Sequence, residues 1–517
     1  MQIYYASQSF YPFIGGVPTY LLNLSKEMVR LGNEVVEVHL RSSNADPEDE
    51  VKGVQVHRVP KEPINFEIMK KYSEFKEAVY KECHENKSLF TKPADKMPGF
   101  FEFNQVNEYF GEQIKLLFEK EHPDVVHIHD FQLLFAYRYV PRGTPLILTW
   151  HIPIIKEISK DLAEFLIKHL NEYDKVVFSS QEYIDAIVAL GFPRKKTELI
   201  HPIANTDIFK VMDVDKEKVF SKYGLNVNDK HILSVQRIDP KSGHEQLIRA
   251  LPKILETFPD TKVVFVGAES LSNKLSEERK LMAEEVKKLI KELDLENNVV
   301  FTGNIDYHIL PELYNCVDLV ALCSKNEGFG LSVSEGMACG NAIIATRIGG
   351  LPLQVQHGIN GFLVDVGDIE DTSAKIVQIL GDDKLNTKMQ DNSLNIVDNN
   401  FKKEIGIKKH LSLYNNLKGI KDEFHKLEYF NLKDVKGIIL DLDRTLIDVP
   451  AKRDFDVNDF STAPFEELRN LGVDLFLSTG RNIEFVKKLC EAFPIWRAAI
   501  AENGAIIYFP RTKKTLL

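Results

Sequence analysis

Two doubly wound α/β halves facing a cleft, followed by a smaller third α/β unit, are what this chain of 517 residues predicts. Three observations carry the expectation. Short apolar runs alternate with longer stretches of helical period, the signature of parallel sheets covered on both faces. The same order and spacing of runs starts again near Asp229. A third alternation opens at Gly437.

In the first half, Gln2–Ala6, Glu34–His39, Val125–His129, Leu146–Thr149 and Lys175–Ser179 read as strands. Thr19–Leu31 between the first two reads as a helix, with an apolar stripe at Leu21, Leu24, Met28 and Leu31. Glu62–Lys120 departs from the alternation and is rich in Lys, Glu and Phe. It reads as helices or an ordered insertion that shapes a pocket wall or simply packs. In the second half the strands are His231–Val235, Lys262–Val266, Val299–Thr302, Leu319–Leu322, Ala342–Thr346 and Gly361–Val364. Phe401–Lys421 reads as helical. The third unit comprises strand Gly437–Leu440, a helix near Phe465–Leu471, strand Asp474–Ser478, a helix near Ile483–Phe493 and strand Ala499–Tyr508. The expected domains are residues 1–205, 206–422 and 435–517.

Composition narrows the function classes. The hydrophobic fraction of 44% and charged fraction of 27% suit a globular protein with sizeable cores. A net charge of -11 argues against a nucleic-acid binder, whose footprint is basic. An anionic substrate remains compatible, because a local basic site can sit on an acidic protein. The five cysteines are odd in number and form no CxxC pair, which points to reduced thiols and a cytoplasmic setting. No apolar run is long enough to span a membrane, and the N-terminus reads as a first strand rather than a signal peptide.

The segment from Asn326 to Pro352 concentrates chemistry. Gly328 and Gly330 lie in a turn between the strand Leu319–Leu322 and a helix from about Leu331. Such a turn lets backbone N–H groups face a phosphate, and the helix N-terminus adds partial positive charge. Glu327 and Glu335 bracket the turn, the second roughly 6–8 Å along the helix. Ionised carboxylates on each side of a diphosphate would accept hydroxyls from a sugar and a ribose. Without that surrounding segment, the two would read as ordinary helix-terminus acids.

This segment resembles family four of the retaining glycosyltransferases, which have the GT-B fold. Glu327 and Glu335 match the family's Glu-x(7)-Glu motif. Phe301-Thr-Gly303, Tyr314–Leu319 and His357–Val364 extend the likeness, which covers roughly residues 1–420. The resemblance implies transfer of a hexose from a nucleotide-sugar to a sugar, sugar-phosphate or polyol. It sets Glu327 against the donor sugar, Glu335 against the ribose, and Phe329, Gly330 and Leu331 against the diphosphate. It also implies an Arg and a Lys on the donor phosphates, where they would stabilise the leaving group. Arg237 matches the Arg; the Lys position, five residues later, holds Ser242, with Lys241 one residue earlier.

In the first half, Gly15 and Gly16 match the family's glycine loop beside donor phosphate and acceptor, and His151 matches a histidine that touches the donor sugar. Asp130 and Gln132 follow the strand Val125–His129 and are acceptor-side candidates. The implied mechanism retains anomeric configuration without an enzymic nucleophile, and transfer needs neither cofactor nor metal.

At the C-terminus, Asp441 and Asp443 follow an apolar strand, and Ser478-Thr-Gly-Arg481 follows the next. Carboxylates at i and i+2 suit a nucleophile and acid/base for phosphoryl transfer, with Mg²⁺ offsetting their repulsion. This stretch resembles the haloacid dehalogenase superfamily, with Asp441 as nucleophile, Asp443 as acid/base and Thr479 as phosphate-binding hydroxyl. The superfamily's later Lys and acidic pair have no match, so no phosphatase activity is expected from this chain. Transferase followed by phosphatase is the arrangement of sucrose-phosphate synthases, with trehalose-forming synthases a second likeness. The competing reading is a ligand-binding or regulatory protein with a sugar-phosphate phosphatase role.

Overall fold

A computed structural model describes residues 1–11, 16–41, 45–62, 64–85, 89–141, 143–238, 241–267, 277–428, 437–441, 474–479, 481–493, 495–510 and 512–516. The chain divides into two compact units, Met1–Lys418 and Gly419–Leu517.

The first unit holds two sheets. One contains β1 (Gln2–Ser7), β2 (Glu34–Leu40), β3 (Glu48–Val51), β4 (Val54–Val59), β5 (Val125–His129), β6 (Leu146–Trp150), β7 (Lys175–Phe178) and β8 (Thr197–Leu199). Their order is β3-β4-β2-β1-β5-β6-β7-β8. All neighbours run parallel except β3, which pairs antiparallel with β4. The β3–β4 hairpin is not among the strands expected from the sequence. Its helices are α1 (Gly16–Arg30), α2 (Phe66–Glu85), α3 (Phe100–Lys120), α4 (Lys160–Leu170) and α5 (Gln181–Ala189).

The second sheet is wholly parallel and ordered β11-β10-β9-β12-β13-β14. It comprises β9 (Lys230–Val235), β10 (Thr261–Val266), β11 (Val299–Gly303), β12 (Leu319–Leu322), β13 (Ile343–Thr346) and β14 (Gly361–Val364). The helices around it are α6 (Lys216–Ser221), α7 (His244–Thr257), α8 (Glu277–Glu292), α9 (Leu310–Tyr314), α10 (Leu331–Ala338), α11 (Leu351–Gln354), α12 (Ile369–Gly381) and α13 (Asp383–Ile396). Strand order reverses beside β1 in one sheet and beside β9 in the other. Ligands bind beyond strand carboxyl ends at such switch points, so the loops after β1, β5, β9 and β12 are where a site belongs.

The Phe-rich insertion forms α2 and α3 and packs. Tyr72, Phe75, Val79 and Cys83 recur at helical spacing and are fully buried with Phe103, Val106, Phe110 and Ile114 against one face of the first sheet. Buried Glu82 ties its far end down, accepting N–H bonds from Leu89 (2.6 Å), Phe90 (2.8 Å) and Ser159 (2.7 Å).

The helix expected over Phe401–Lys421, within the expected domain 206–422, is α14 (Lys403–Glu428), and its Ile407, Leu413, Tyr414 and Leu417 pack with Ile3, Tyr5 and Leu24 of the first half. Gly406 permits this approach, because a Cβ there would meet Ile203 Cγ2 at 2.1 Å. Apolar burial outweighs sequence order: the first sheet needs a cover on this face, and the chain returns to supply it.

The second unit carries β15 (Gly437–Asp441), β16 (Asp474–Ser478), β17 (Trp496–Ala501), β18 (Ile506–Phe509), β19 (Lys514–Leu516) and α15 (Ile483–Ala492). The sheet order is β15-β16-β17-β18-β19, parallel through β17 and antiparallel beyond. The strand expected over Ala499–Tyr508 is two, reversed at Glu502–Gly504, where Gly504 takes φ 94°. The helix expected near Phe465–Leu471 lies outside the described residues.

Candidate active site

The loops after β12 and β6 meet across a cleft. Its walls include Gly16, Tyr20, Tyr80, His151, Glu327 and Gly328–Leu331. Its volume is about 200 Å³, several times the roughly 30 Å³ share of one water.

The second half contributes mostly backbone. Gly330 caps α10 at φ 81°, and a Cβ there would meet Leu351 Cδ2 at 2.6 Å. Only glycine suits that turn. Gly328 lies close to the opposite half, since a Cβ would sit 3.2 Å from the His151 carbonyl oxygen. The Gly328 carbonyl accepts from Tyr183 Oη and from Gly350 N, each at 3.0 Å. Glu327 accepts from Gly328 N at 3.1 Å and Ser324 Oγ at 3.4 Å. The Phe329 side chain is buried against His201 and Phe401, leaving its backbone at the cleft. Glu335 lies one turn deeper and 6% exposed, accepting from Tyr307 Oη at 3.2 Å. Burial pushes its pKa up to about 8.

The loop after β9 sends Lys241 and Ser242 in different directions. Gly243 is pressed against β12, because a Cβ would fall 1.4 Å from the Cys323 carbonyl oxygen. That contact sets the register of the loop. Ser242 turns inward, buried, with Oγ 2.7 Å from His244 Nδ1. Lys241 turns the other way, its Nζ 3.3 Å from the centre of the Tyr80 ring at the cleft wall. The Lys241 carbonyl accepts from Lys325 N at 2.7 Å, joining this loop to the one that carries Glu327. Arg237 is exposed at the loop's start and is not among the cleft-lining residues.

The first half contributes side chains from strand ends. Gly16 begins α1 and lines the cleft; Gly15 lies outside the described residues. His151 follows β6, with Nε2 3.1 Å from His129 Nδ1. Burial, then the neighbouring His410, holds its pKa down to about 3, so the ring is neutral. Of the acceptor-side candidates, neither Asp130 nor Gln132 is among the residues that line this cleft. Buried Asp130 sits at φ 74° and accepts from Phe131 N (3.1 Å) and His151 N (3.3 Å), so it holds the histidine's backbone. Such a backbone angle in a non-glycine residue is strained and clusters at functional sites. Desolvation raises its pKa to about 6. The Gln132 side chain bonds to Asp130.

Sequence reasoning missed Tyr80, Tyr20 and Tyr307. Tyr20 was within reach, four residues and one helical turn after Gly16. Tyr80 and Tyr307 carry no local signal.

Residues 14–208 match Glycosyltransferase Family 4, and residues 215–395 match Glycosyl transferases group 1. The first 418 residues are a glycosyltransferase of the GT-B fold. Residues 438–517 match the haloacid dehalogenase-like hydrolases. The transferase is 25% identical over 305 residues to N-acetyl-alpha-D-glucosaminyl L-malate synthase of Bacillus anthracis, covering 57% of this chain and 75% of that protein. It is 26% identical over 372 residues to D-inositol 3-phosphate glycosyltransferase of Mycobacterium sp. strain KMS, covering 71% and 78%. Its fold is that of the Thermosynechococcus elongatus sucrose-phosphate synthase, at TM-score 0.64 and 19% identity over 81% of this chain and 99% of that one. Anabaena HepE, solved with UDP and glucose, superposes at TM-score 0.58 and 20% identity, covering 81% and 100%.

In the hydrolase-like unit, Asp441 ends β15 in register with Ser478 of parallel β16, one residue before Thr479. Buried Thr479 accepts from Arg481 N at 3.2 Å through Oγ1. Asp443 lies outside the described residues, as does the side chain of Asp441. Among the described residues, no cluster of three or more His, Cys, Asp or Glu has the arrangement of a metal site, and no helix is long and apolar enough to cross a membrane.

Proposed function

We propose that this transferase moves a hexose from a nucleotide-sugar, a UDP-sugar first of all, to a hydroxyl of a small anionic acceptor, with retention at the anomeric carbon. The observation that carries the reading is the meeting of the Gly328–Leu331 turn with His151 across one cleft. Backbone N–H groups at the start of α10 suit a diphosphate. Glu327 takes the donor-sugar hydroxyls and Glu335 the ribose; Lys241, with Arg237 at the loop's rim, stabilises the departing charge. His151 meets the sugar. The acceptor oxygen bonds to the anomeric carbon on the face from which the diphosphate leaves, and its proton passes to the leaving phosphate oxygen. Positioning and leaving-group stabilisation then supply the rate, and the reading assigns no cofactor to transfer.

The solved HepE complex supports the donor class by its UDP and glucose. Two relatives named for L-malate and inositol 3-phosphate support an anionic acceptor. Five free, buried cysteines suit a cytoplasmic protein. The test is nucleoside-diphosphate release from UDP-, GDP- and ADP-sugars with sugar phosphates, polyol phosphates and malate. Wild type should turn over one combination, and Glu327→Ala should lose about 10²–10³-fold of that rate. No turnover with any pair, or equal rates for the two proteins, would overturn the reading.

The match of residues 438–517 favours a second role, sugar-phosphate hydrolysis, with Asp441 and Asp443 as the Mg²⁺-holding pair. Mg²⁺-dependent phosphate release from sugar phosphates that Asp441→Asn abolishes would support that role; no release, or release unchanged by the substitution, would count against it.

A further inference from the structure

Beneath His151 lies a buried polar layer that neither transfer chemistry nor apolar packing requires. His129 is fully buried, with Nδ1 3.1 Å from His151 Nε2. Its ring stacks on His127 at 4.2 Å between centroids. His127 is bonded at both nitrogens, Nδ1 to Tyr414 Oη and Nε2 to Thr149 Oγ1, each at 2.7 Å. Tyr414 belongs to α14, as does His410, whose Nδ1 donates to the Gly406 carbonyl at 2.8 Å. His410 Nε2 therefore accepts from Tyr20 Oη at 3.0 Å. The Tyr20 ring packs edge-on to His151 at 5.3 Å.

The proton positions in this layer follow from which nitrogens have partners. His129 Nε2 is sealed from solvent and has no hydrogen-bond partner among the described residues. A buried orphan N–H is rarer and costlier than an unused lone pair. The one proton of a neutral His129 therefore belongs on Nδ1, aimed at His151 Nε2. That nitrogen must accept, so a neutral His151 carries its proton on Nδ1. His151 Nδ1 has no protein partner among the described residues and is not sealed off, and the ring lines the cleft.

We infer that His129 is a positioning residue that fixes the tautomer of His151, so that His151 presents an Nδ1–H donor to an oxygen of the bound donor sugar. The layer behind it holds His129 in place: the stack on His127, the two hydrogen bonds of His127, and the return of α14. Exchange of the two ring protons would turn the cleft-facing nitrogen from donor to acceptor. The inference rests on the reading that His151 faces the donor sugar. The tautomer itself is a property of the unliganded protein and does not depend on activity.

The test uses the full chain with ring-¹⁵N histidine. Long-range ¹H–¹⁵N spectra of wild type, assigned to His151 by comparison with His151→Asn, should show the Nδ1–H tautomer. His129→Phe keeps a stacking ring and removes the donor, so the His151 signal should move toward the Nε2–H form. It should also lower kcat about tenfold, equivalent to about 1.4 kcal/mol, with a smaller change in donor KM. His129→Asn, whose amide can again donate to His151 Nε2, should restore the tautomer and most of the rate. An Nε2–H tautomer in wild type overturns the inference without any variant, and so does His129→Phe with signal and kcat unchanged. Inactive His151 variants alongside the expected tautomer support the whole scheme. Fully active ones would overturn the proposed role of His151 and leave the tautomer assignment standing.

Discussion

On the first sheet, what reaches the cleft is an imidazole, and behind it the strands carry His127, His129 and Thr149 in a buried layer closed by Tyr414. On the second sheet, what reaches the cleft is mostly backbone, shaped by Gly330, Gly349 and Gly350 packed against neighbouring main chain and side chains. Side chains at strand ends can be aimed but need support from beneath. Main chain at a helix start needs no support beyond the close packing that glycine allows. The first half therefore depends more on buried titratable groups and the second more on close packing, and the two should fail under different insults.

Acid should separate them most. Burial holds His127, His129, His151 and His410 neutral in the native first half, with His151 down to about 3 and His410 to about 4. Their unfolded value is near 6.5. Below that value the unfolded state binds more protons, so their contribution is full above about pH 6.5 and falls as pH drops. Glu37, pushed up to about 8, Asp130, to about 6, and Glu335, to about 8, act in the opposite sense, since their native forms bind more protons. Buried His39 and His169 add to the histidine side, held to about 3 and 4. These six histidines outnumber the acids and lie on the first half, whereas the second half adds buried His231 on β9, also held low by desolvation. Stability should fall below about pH 6.5 and fall more steeply once the unfolded glutamates also protonate, below about 4.5. Hydrogen exchange as a function of pH should show β5 and β6 losing protection before β9 and β12; the reverse order would refute the comparison.

The second half's weak spot is a charge. Lys241→Met should weaken UDP-sugar binding about tenfold or more, the loss of one charge-assisted contact. Ser242→Ala should change it little, because that hydroxyl faces His244. Equilibrium binding of a UDP-sugar decides between them; a larger effect at Ser242 would mean that the loop turns over when the donor binds.

A substitution in the polar layer tests the support beneath the first half. Tyr414→Phe keeps the ring and removes the hydroxyl, leaving buried His127 Nδ1 without that partner. About 1–3 kcal/mol of stability should go, read by urea unfolding, while the second half's donor affinity stays as in wild type.

Local pattern explains what was legible. Strands Leu319–Leu322 and Gly361–Val364 coincide with their expected spans because they are short, apolar and buried. The Glu327–Leu331 turn was legible because glycines and acids stand next to each other in sequence. The β3–β4 hairpin was not, since Glu-Asp-Glu-Val is mostly exposed and lacks alternation. The division after Glu502 was read through, although Asn503-Gly504 is a turn signal. The buried polar layer was least legible. Tyr5, His127 and Tyr414 meet only in space, and nothing near any one of them in sequence announces the other two.

The return of α14 has a consequence for synthesis. The first sheet is complete when about 200 residues have left the ribosome, yet the tyrosine that closes its polar layer comes some 200 residues later. At about 5–20 residues per second, that interval is roughly 10–40 s. During it the nascent half carries an uncovered face with buried-type histidines open to water. The transferase can finish its earliest-made part only after its last-made one has arrived.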